Sequence, residues 1–318
     1  MVRVVFFGTP DFAVPSLEGM LAAGHDVAAV VTQPDRRRGR GQRTSPSPVK
    51  AAAVAANLAV LQPQRMRDPT FLAAMAQAAP TLGVVAAYGR ILPDEVLSIP
   101  ALGTINVHAS LLPRYRGAAP IHRAVMAGDT ETGITMIRLV AEMDAGPMLA
   151  RATHPIGPDD TSEELEQGLA ALGATLLIET LRAFEEERVL EKDQDHVMAT
   201  FAPRLTREDG RIDWTRPAQR LHDQVRGLHP WPHAATYLGD RRLLILRTRV
   251  LDCPGDARAP GVILEARGDR LVVQCGDGTS LAITRLQPEG RAGMEARAFL
   301  SGHPITLDAR FTLTPTSS

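Results

Sequence analysis

Residues 103–124 read GTINVHASLLPRYRGAAPIHRA, and the fold is decided in this stretch. Thr104 to Val107 is short, apolar and β-branched, the pattern of a buried strand. Asn106 and His108 are two apart, so on a strand both side chains leave the same face near its end. The chain then turns through Ser110-Leu111-Leu112-Pro113 and a basic corner, Arg114-Tyr115-Arg116-Gly117, and a helix is expected from about Ala119. A strand end, a loop and a helix start are where open α/β sheets hold their ligands. An imidazole can carry a proton near neutral pH, and an amide can donate to a developing oxyanion. A lone histidine after a strand is more often a structural residue than a catalyst, so spacing alone leaves both readings open.

Outward toward the N-terminus, Val2 to Phe7 is an apolar run broken only by Arg3, the pattern of a buried parallel strand. Gly8-Thr9-Pro10-Asp11 and an apolar-periodic segment to about Ala23 follow, giving strand, turn and helix. A dinucleotide site would need G-x-G-x-x-G here, and only Gly8 is present. The spacing therefore argues against a dehydrogenase and keeps a Rossmann-like, doubly wound, mostly parallel α/β sheet. Further strands are expected at 26–32, 82–87 and 132–140, with 148–154 as a hairpin partner. The capping box Thr161-Ser162-Glu163-Glu164 opens a long helix with Leu165, Leu169, Leu172 and Leu176 on one face. Asp144 lies in a Gly-containing loop 36 positions after His108, where spacing alone makes it any turn aspartate.

Beyond this helix the periodicity lapses, and 189–206 reads as a linker. Short alternating runs at 243–250, 261–266, 271–275 and 281–286, separated by Gly, Pro and Asp, predict a small OB-like β-barrel. The expected division is a catalytic α/β domain over 1–188, the linker, and a barrel domain over 207–318. The tail from Thr312 is expected to fray.

The totals set bounds. The chain has 318 residues, 44% hydrophobic and 22% charged, an ordinary globular composition long enough for two domains. A net charge of -1 does not announce a nucleic-acid binder, but the local distribution is uneven. Arg36, Arg37, Arg38, Arg40 and Arg43 crowd around Gly39 and Gly41, and 204–249 carries ten arginines against five acidic residues. The first cluster reads as a flexible charged loop, not a regular element. It is either solvated surface or a phosphate-binding finger. Cys253 and Cys275 have no paired-motif spacing, which predicts no metal site and suits a reducing cytoplasm. No signal segment or membrane-spanning run is visible.

Asn-x-His followed by SLLP, RG and AAP resembles the folate-dependent formyltransferases. GTPDFA (8–13), AYGRILP (87–93), MDAGP (143–147), the RIDW junction (211–214) and PWP (230–232) extend the resemblance over nearly the whole chain. Within that superfamily, the arginine cluster and the C-terminal barrel point to the branch acting on charged initiator tRNA. The resemblance implies 10-formyltetrahydrofolate as co-substrate, with no metal, and charged methionyl initiator tRNA as acceptor, in a cytoplasmic monomer. It implies Asn106, His108 and Asp144 as the catalytic set. Folate contacts are implied at Ser110, Leu111, Leu112, Pro113, Ile91 and Leu92. The arginine cluster would contact tRNA, with Arg40 matching the family's arginine in this loop. An amino-sugar nucleotide formyltransferase is the nearest alternative. A non-catalytic RNA-binding protein on the same scaffold is another, disfavoured by the intact Asn106, His108 and Asp144.

Overall fold

The computed structural model describes residues 2–38, 43–251, 258–307 and 309–316; for 36–38 and 43–44 it describes the backbone. The chain divides into two compact units. The first comprises Met1–Pro120, Glu131–Pro155 and Glu166–Pro203; the second comprises Ile121–Thr130, Ile156–Leu165 and Arg204–Ser318.

The first unit is wound around a seven-stranded sheet. Its strands are β1 (Arg3–Gly8), β2 (Asp26–Val31), β5 (Val60–Leu61), β6 (Leu82–Ala86), β7 (Thr104–His108), β8 (Glu131–Arg138) and β9 (Met148–Pro155), in spatial order β5-β2-β1-β6-β7-β8-β9. The first five are parallel, and β8 and β9 add antiparallel neighbours. The winding starts at β1, moves out to β2 and β5, then restarts on β1's other side with β6. The switch point therefore lies between β1 and β6, where ligands of such sheets sit beyond the carboxyl ends. Gly8 faces Ala86 and Val85 faces Asn106 across the ladders, so the three carboxyl ends lie side by side.

Both sheet faces are covered. On one, Val5, Phe7, Val31 and Val85 pack with Phe71 and Met75 of α3 (Pro69–Gln77). Phe7 meets the Tyr88 ring edge-on, centroids 5.6 Å apart. The long helix α6 (Ser162–Glu185) lies against the other, so close that a Cβ on Gly173 would stand 2.9 Å from Val107 Cγ1. Alternation along β7 then turns Asn106 and His108 away from α6. The capping box forms as expected: Thr161 N and Oγ1 both donate to Glu164 Oε2 at 2.8 and 2.7 Å.

Three sequence expectations are corrected here. The arginine cluster is not wholly loop: β3 (Arg36–Arg38) and β4 (Arg43–Ser45) pair antiparallel with Arg37 opposite Thr44. A two-stranded ladder is held by backbone hydrogen bonds, so no apolar alternation marks it in sequence. The segment expected as linker is packed through Pro203 onto the first unit, with bridges Met148–Lys192 and Arg116–Phe201. The tail does not fray at Thr312. Phe311 and Thr312 form β16, and Thr316 N donates to Gly239 O at 3.1 Å.

The second unit is an antiparallel sheet of β10 (Ala234–Leu238), β11 (Arg241–Leu251), β12 (Ile263–Arg267), β13 (Arg270–Gln274), β14 (Ser280–Pro288) and β16, in order β12-β13-β14-β11-β10-β16, with β15 (Met294–Glu295) on β14. A bridge from Val262 to Arg310 brings the two end strands together and rolls the sheet into a small barrel. Leu221 and Val225 of α7 (Ala218–Gly227) fill its core with Leu243, Ile245, Leu271 and Phe299. Trp214 stacks on Phe311, and its indole donates to Thr236 Oγ1 at 3.0 Å.

Candidate active site

His108 ends β7 and is 5% exposed. Its Nε2 lies 3.0 Å from the Tyr115 carbonyl, and its Nδ1 lies 3.6 Å from Asp144 Oδ2. A carbonyl only accepts, so Nε2 bears a proton, and Nδ1 is the nitrogen free to gain or lose one. Asn106 shares the face, half-buried one pleat back. The structure therefore brings Asn106, His108 and Asp144 to one corner, at the carboxyl end of β7.

Two loops hold that corner. In the first, Tyr115 has φ +62° and Gly117 φ +120°. A side chain at Gly117 would put its Cβ 2.8 Å from the Ala202 carbonyl, so only glycine fits. This bend aims the Tyr115 carbonyl at His108 and the Gly117 N–H at Asp144 Oδ2, 2.8 Å away. In the second, Asp144 has φ +50°, a left-handed conformation that Asp tolerates better than most residues. Two residues on, a Cβ at Gly146 would fall 1.9 Å from the Arg138 carbonyl, so the loop folds tightly back on the end of β8.

The turn Ser110-Leu111-Leu112-Pro113 follows directly. Ser110 Oγ donates to the Arg114 carbonyl at 2.7 Å, and Leu112 is fully buried. Thr135 of β8 ties the turn down: its hydroxyl donates to Ser110 O at 2.7 Å and accepts from Leu112 N at 3.2 Å. Leu111 and Pro113 stay half-buried. Across the sheet, the loop after β6 carries Ile91 and Leu92, and here the two diverge. Leu92 packs into the core with Tyr88, while Ile91 is 82% exposed. Thr9 Oγ1 and Gln33 Nε2 both donate to the Tyr88 carbonyl, fixing this loop beside β1. Burial raises the Tyr88 phenol above its ordinary value, with Arg90 opposing, so it stays neutral and donates to Met66 Sδ. Arg36, Arg37, Arg38 and Arg43 lie on the β3–β4 pair, and Arg40 falls outside the described residues.

An amide donor, an imidazole and a carboxylate converge here where a parallel sheet binds its ligands, a set suited to acyl transfer through a tetrahedral intermediate. The Formyl transferase family profile matches residues 2–181, and that of the Formyl transferase C-terminal domain matches 204–304. The chain belongs to the formyl transferase family. Among the relatives of this formyltransferase, the methionyl-tRNA formyltransferase of Moorella thermoacetica is 48% identical over 304 residues, 96% of this chain and 97% of that protein. That of Heliobacterium modesticaldum is 47% identical, covering 98% of this chain and 100% of its own. Solved structures share the fold at lower identity. The sugar 3N-formyltransferase WlaRD, in the presence of dTDP and 5-N-formyl-THF, aligns with TM-score 0.68 at 16% identity, covering 92% of this chain and 99% of its own. Aquifex aeolicus HypX with tetrahydrofolic acid aligns with TM-score 0.64 at 18% identity, covering 94% of this chain and 47% of that chain.

Several groups that build this candidate site escape the sequence. The Tyr115 carbonyl and the Gly117 N–H are backbone atoms, which no residue pattern announces. Arg116 is 2% exposed, although the sequence reads it only as part of a basic corner. Gln194 sits in the segment read as linker and is 4% exposed. A polar side chain in an aperiodic stretch gives no signal of burial.

Proposed function

We propose that the protein transfers the formyl group of 10-formyltetrahydrofolate to the free amino group of methionyl initiator tRNA, in the cytoplasm and as a monomer. The observation that carries this reading is the meeting of Asn106, His108 and Asp144 at one strand end, in a chain 45–48% identical to methionyl-tRNA formyltransferases over nearly its whole length.

In this reaction the α-amino nitrogen attacks the formyl carbon, an oxyanion develops, and the bond to the folate nitrogen N10 breaks. The amine must lose a proton and N10 must gain one. Asn106 donates its amide N–H to the oxyanion, a role worth about 3–4 kcal/mol in other enzymes. His108 takes up and returns the proton at Nδ1, while the Tyr115 carbonyl holds Nε2–H and so fixes the ring. Asp144, tethered by Gly117 N–H, stabilises the imidazolium as it forms. No covalent enzyme intermediate is required.

The residues fit a folate co-substrate. The turn from Ser110 to Pro113 borders the centre, and Ile91 leaves apolar surface in water that a bound ring would cover. The β3–β4 arginines grip the acceptor stem while the second unit, rich in arginine over 204–249, carries the body of the tRNA. Among the described residues no helix is long and apolar enough to cross a membrane.

The test is an incubation with 10-formyltetrahydrofolate and three separate acceptors: methionyl initiator tRNA, a charged elongator tRNA and an amino-sugar nucleotide. Formylation of the initiator tRNA well above the other two is expected. Preferential formylation of the sugar nucleotide would overturn the reading.

A further inference from the structure

Two contacts join the loops that hold the candidate catalytic pair directly, Gly117 N–H to Asp144 Oδ2 and Arg116 to Glu142, and a third side chain, from outside both loops, touches each of them. Gln194 Nε2 donates to Asp144 O at 2.7 Å and to Gly146 O at 2.8 Å. Its Oε1 accepts from Arg116 Nε at 3.1 Å and from Arg116 Nη2 at 2.8 Å. All four hydrogen-bonding capacities of the carboxamide are used. Arginine only donates and carbonyls only accept, so the amide has one permitted orientation. Arg116 continues the chain of contacts to His196 Nδ1 at 3.1 Å and to Glu142 Oε1 at 3.6 Å.

The backbone repeats the connection. Arg116 N donates to Thr200 O at 2.8 Å, and Ala202 N donates to Arg116 O at 2.7 Å. Tyr115 N donates to Thr200 Oγ1 at 2.9 Å. The strap 194–202, which holds a 3-10 turn at His196–Met198 and a single bridge from Phe201 to Arg116, thus fixes the bend that aims the Tyr115 carbonyl at His108 and the Gly117 N–H at Asp144. Gln194 pins the other loop at the carbonyl of Asp144 itself, in its left-handed conformation. The separation of His108 Nδ1 from Asp144 Oδ2 depends on both loops, and the Gln194 carboxamide braces them from behind, at the Asp144 and Gly146 carbonyls on one side and the Arg116 guanidinium on the other.

We propose that Gln194, held by Arg116, is a positioning residue for formyl transfer. It locks the loop carrying Asp144 to the loop that orients His108, and it acts on the reaction through Asp144 without touching substrate. This rests on the reading of His108 and Asp144 as the reacting pair. Buried amides saturated on both sides are costly to break, because removing either partner leaves a polar group unpaired.

The decisive variant is Gln194→Glu. It has the same size and keeps the contact to Arg116. As a carboxylate it turns an acceptor toward two carbonyls, where the amide presented donors. Active enzyme is counted by titration with a folate analogue, so unfolded protein does not enter the rate. Expected are a kcat at pH 7.5 lowered on the order of 10- to 100-fold and KM values within about threefold for both substrates. The ratio of variant to wild-type activity should rise as pH falls toward 5.5, because the protonated acid regains one O–H donor. A double-mutant cycle with Asp144→Asn should be strongly non-additive, the double variant losing little more than Asp144→Asn alone. Wild-type kcat in Gln194→Glu, or losses that multiply in the cycle, would overturn the positioning role. Should Gln194→Glu bind no folate analogue, Gln194→Ala is put through the same cycle with the same two outcomes. Failure of the underlying reading looks different: Asp144→Asn alone would leave kcat unchanged.

Discussion

Two buried histidines in this molecule are bonded almost alike. His108, 5% exposed, meets the Tyr115 carbonyl and the Asp144 carboxylate. His222, 6% exposed, meets the Pro158 carbonyl and the Thr248 hydroxyl, each at 3.0 Å, with Asp159 at 3.4 Å. Bond counting cannot separate a reaction centre from a structural staple. Their surroundings do. His222 is in mid-helix on α7, packed against the barrel, and its partners are both loop and strand groups that it ties together. His108 ends a parallel strand at the sheet's carboxyl edge and shares a face with Asn106. The carboxylate beside it sits in a left-handed backbone conformation. Backbone strain and a second polar group on the same face, rather than burial, mark the histidine proposed for catalysis.

The sharpest way to break this contrast is to remove each ring. His108→Ala should lower kcat for initiator tRNA formylation by about 10²–10⁴-fold, with a small change in the urea midpoint. His222→Ala should do the reverse. It leaves Pro158 O and Thr248 Oγ1 without their partner in a buried place, a loss of about 1–3 kcal/mol. Activity per folded molecule should stay near wild type. A His222→Ala enzyme that is stable but inactive would merge the two regions and remove the distinction.

How much was legible follows the same physics. The strand read over 104–107, which the structure extends to His108, the same-face pairing of Asn106 and His108, and the capping box at Thr161 are local patterns with fixed periods, so the sequence carries them. Leu111 and Ile91 read alike as apolar residues near the ligand, yet one lies half-buried under β8 and the other stands in water, because burial is set by partners distant in sequence. The strap at 194–202 was illegible for a stronger reason. Its fixing groups are backbone carbonyls and amides with the Gln194 carboxamide, the His196 ring and the Thr200 hydroxyl, and none of these repeats with any period. The arginine pair β3–β4 was hidden by its charge, since a run of three arginines shows no alternation.

The contrast extends to weaker effects. The β3–β4 arginines should matter to tRNA and not to chemistry. Arg37→Ala with Arg38→Ala should weaken tRNA binding several-fold at moderate salt. It should also flatten the slope of log K against log salt by about 0.7–0.9 for each phosphate no longer neutralised. A minimal aminoacyl substrate lacking the stem should react at the wild-type rate. Equal slowing of both substrates would show that this pair serves the reaction centre instead.

The smallest effect lies at the capping box, in the region of His222. Glu164 is held down to about 2 from an ordinary 4.5, first by its hydrogen bond with Arg247, then by the Thr161 N–H and hydroxyl. A depressed carboxylate stabilises the fold above its unfolded value and loses that contribution as pH falls through its folded one. Glu164→Gln should therefore cost a few tenths to about 1 kcal/mol at pH 7, with the gap closing between about pH 4.5 and pH 2. Urea midpoints of both proteins across that range measure it, and a gap that stays constant in acid would contradict the assignment.

The most direct measurement is a double-mutant cycle on the two side chains that share the β7 face. Single-turnover formylation of methionyl initiator tRNA is followed for wild type, Asn106→Ala, His108→Ala and the double variant at saturating substrates. Groups that stabilise one transition state together fail to add. The expected result is a severe loss in each single variant and a double variant within a few-fold of the worse single. Near-wild-type turnover in His108→Ala, or two losses that multiply in full, would contradict a reaction centre at the end of β7.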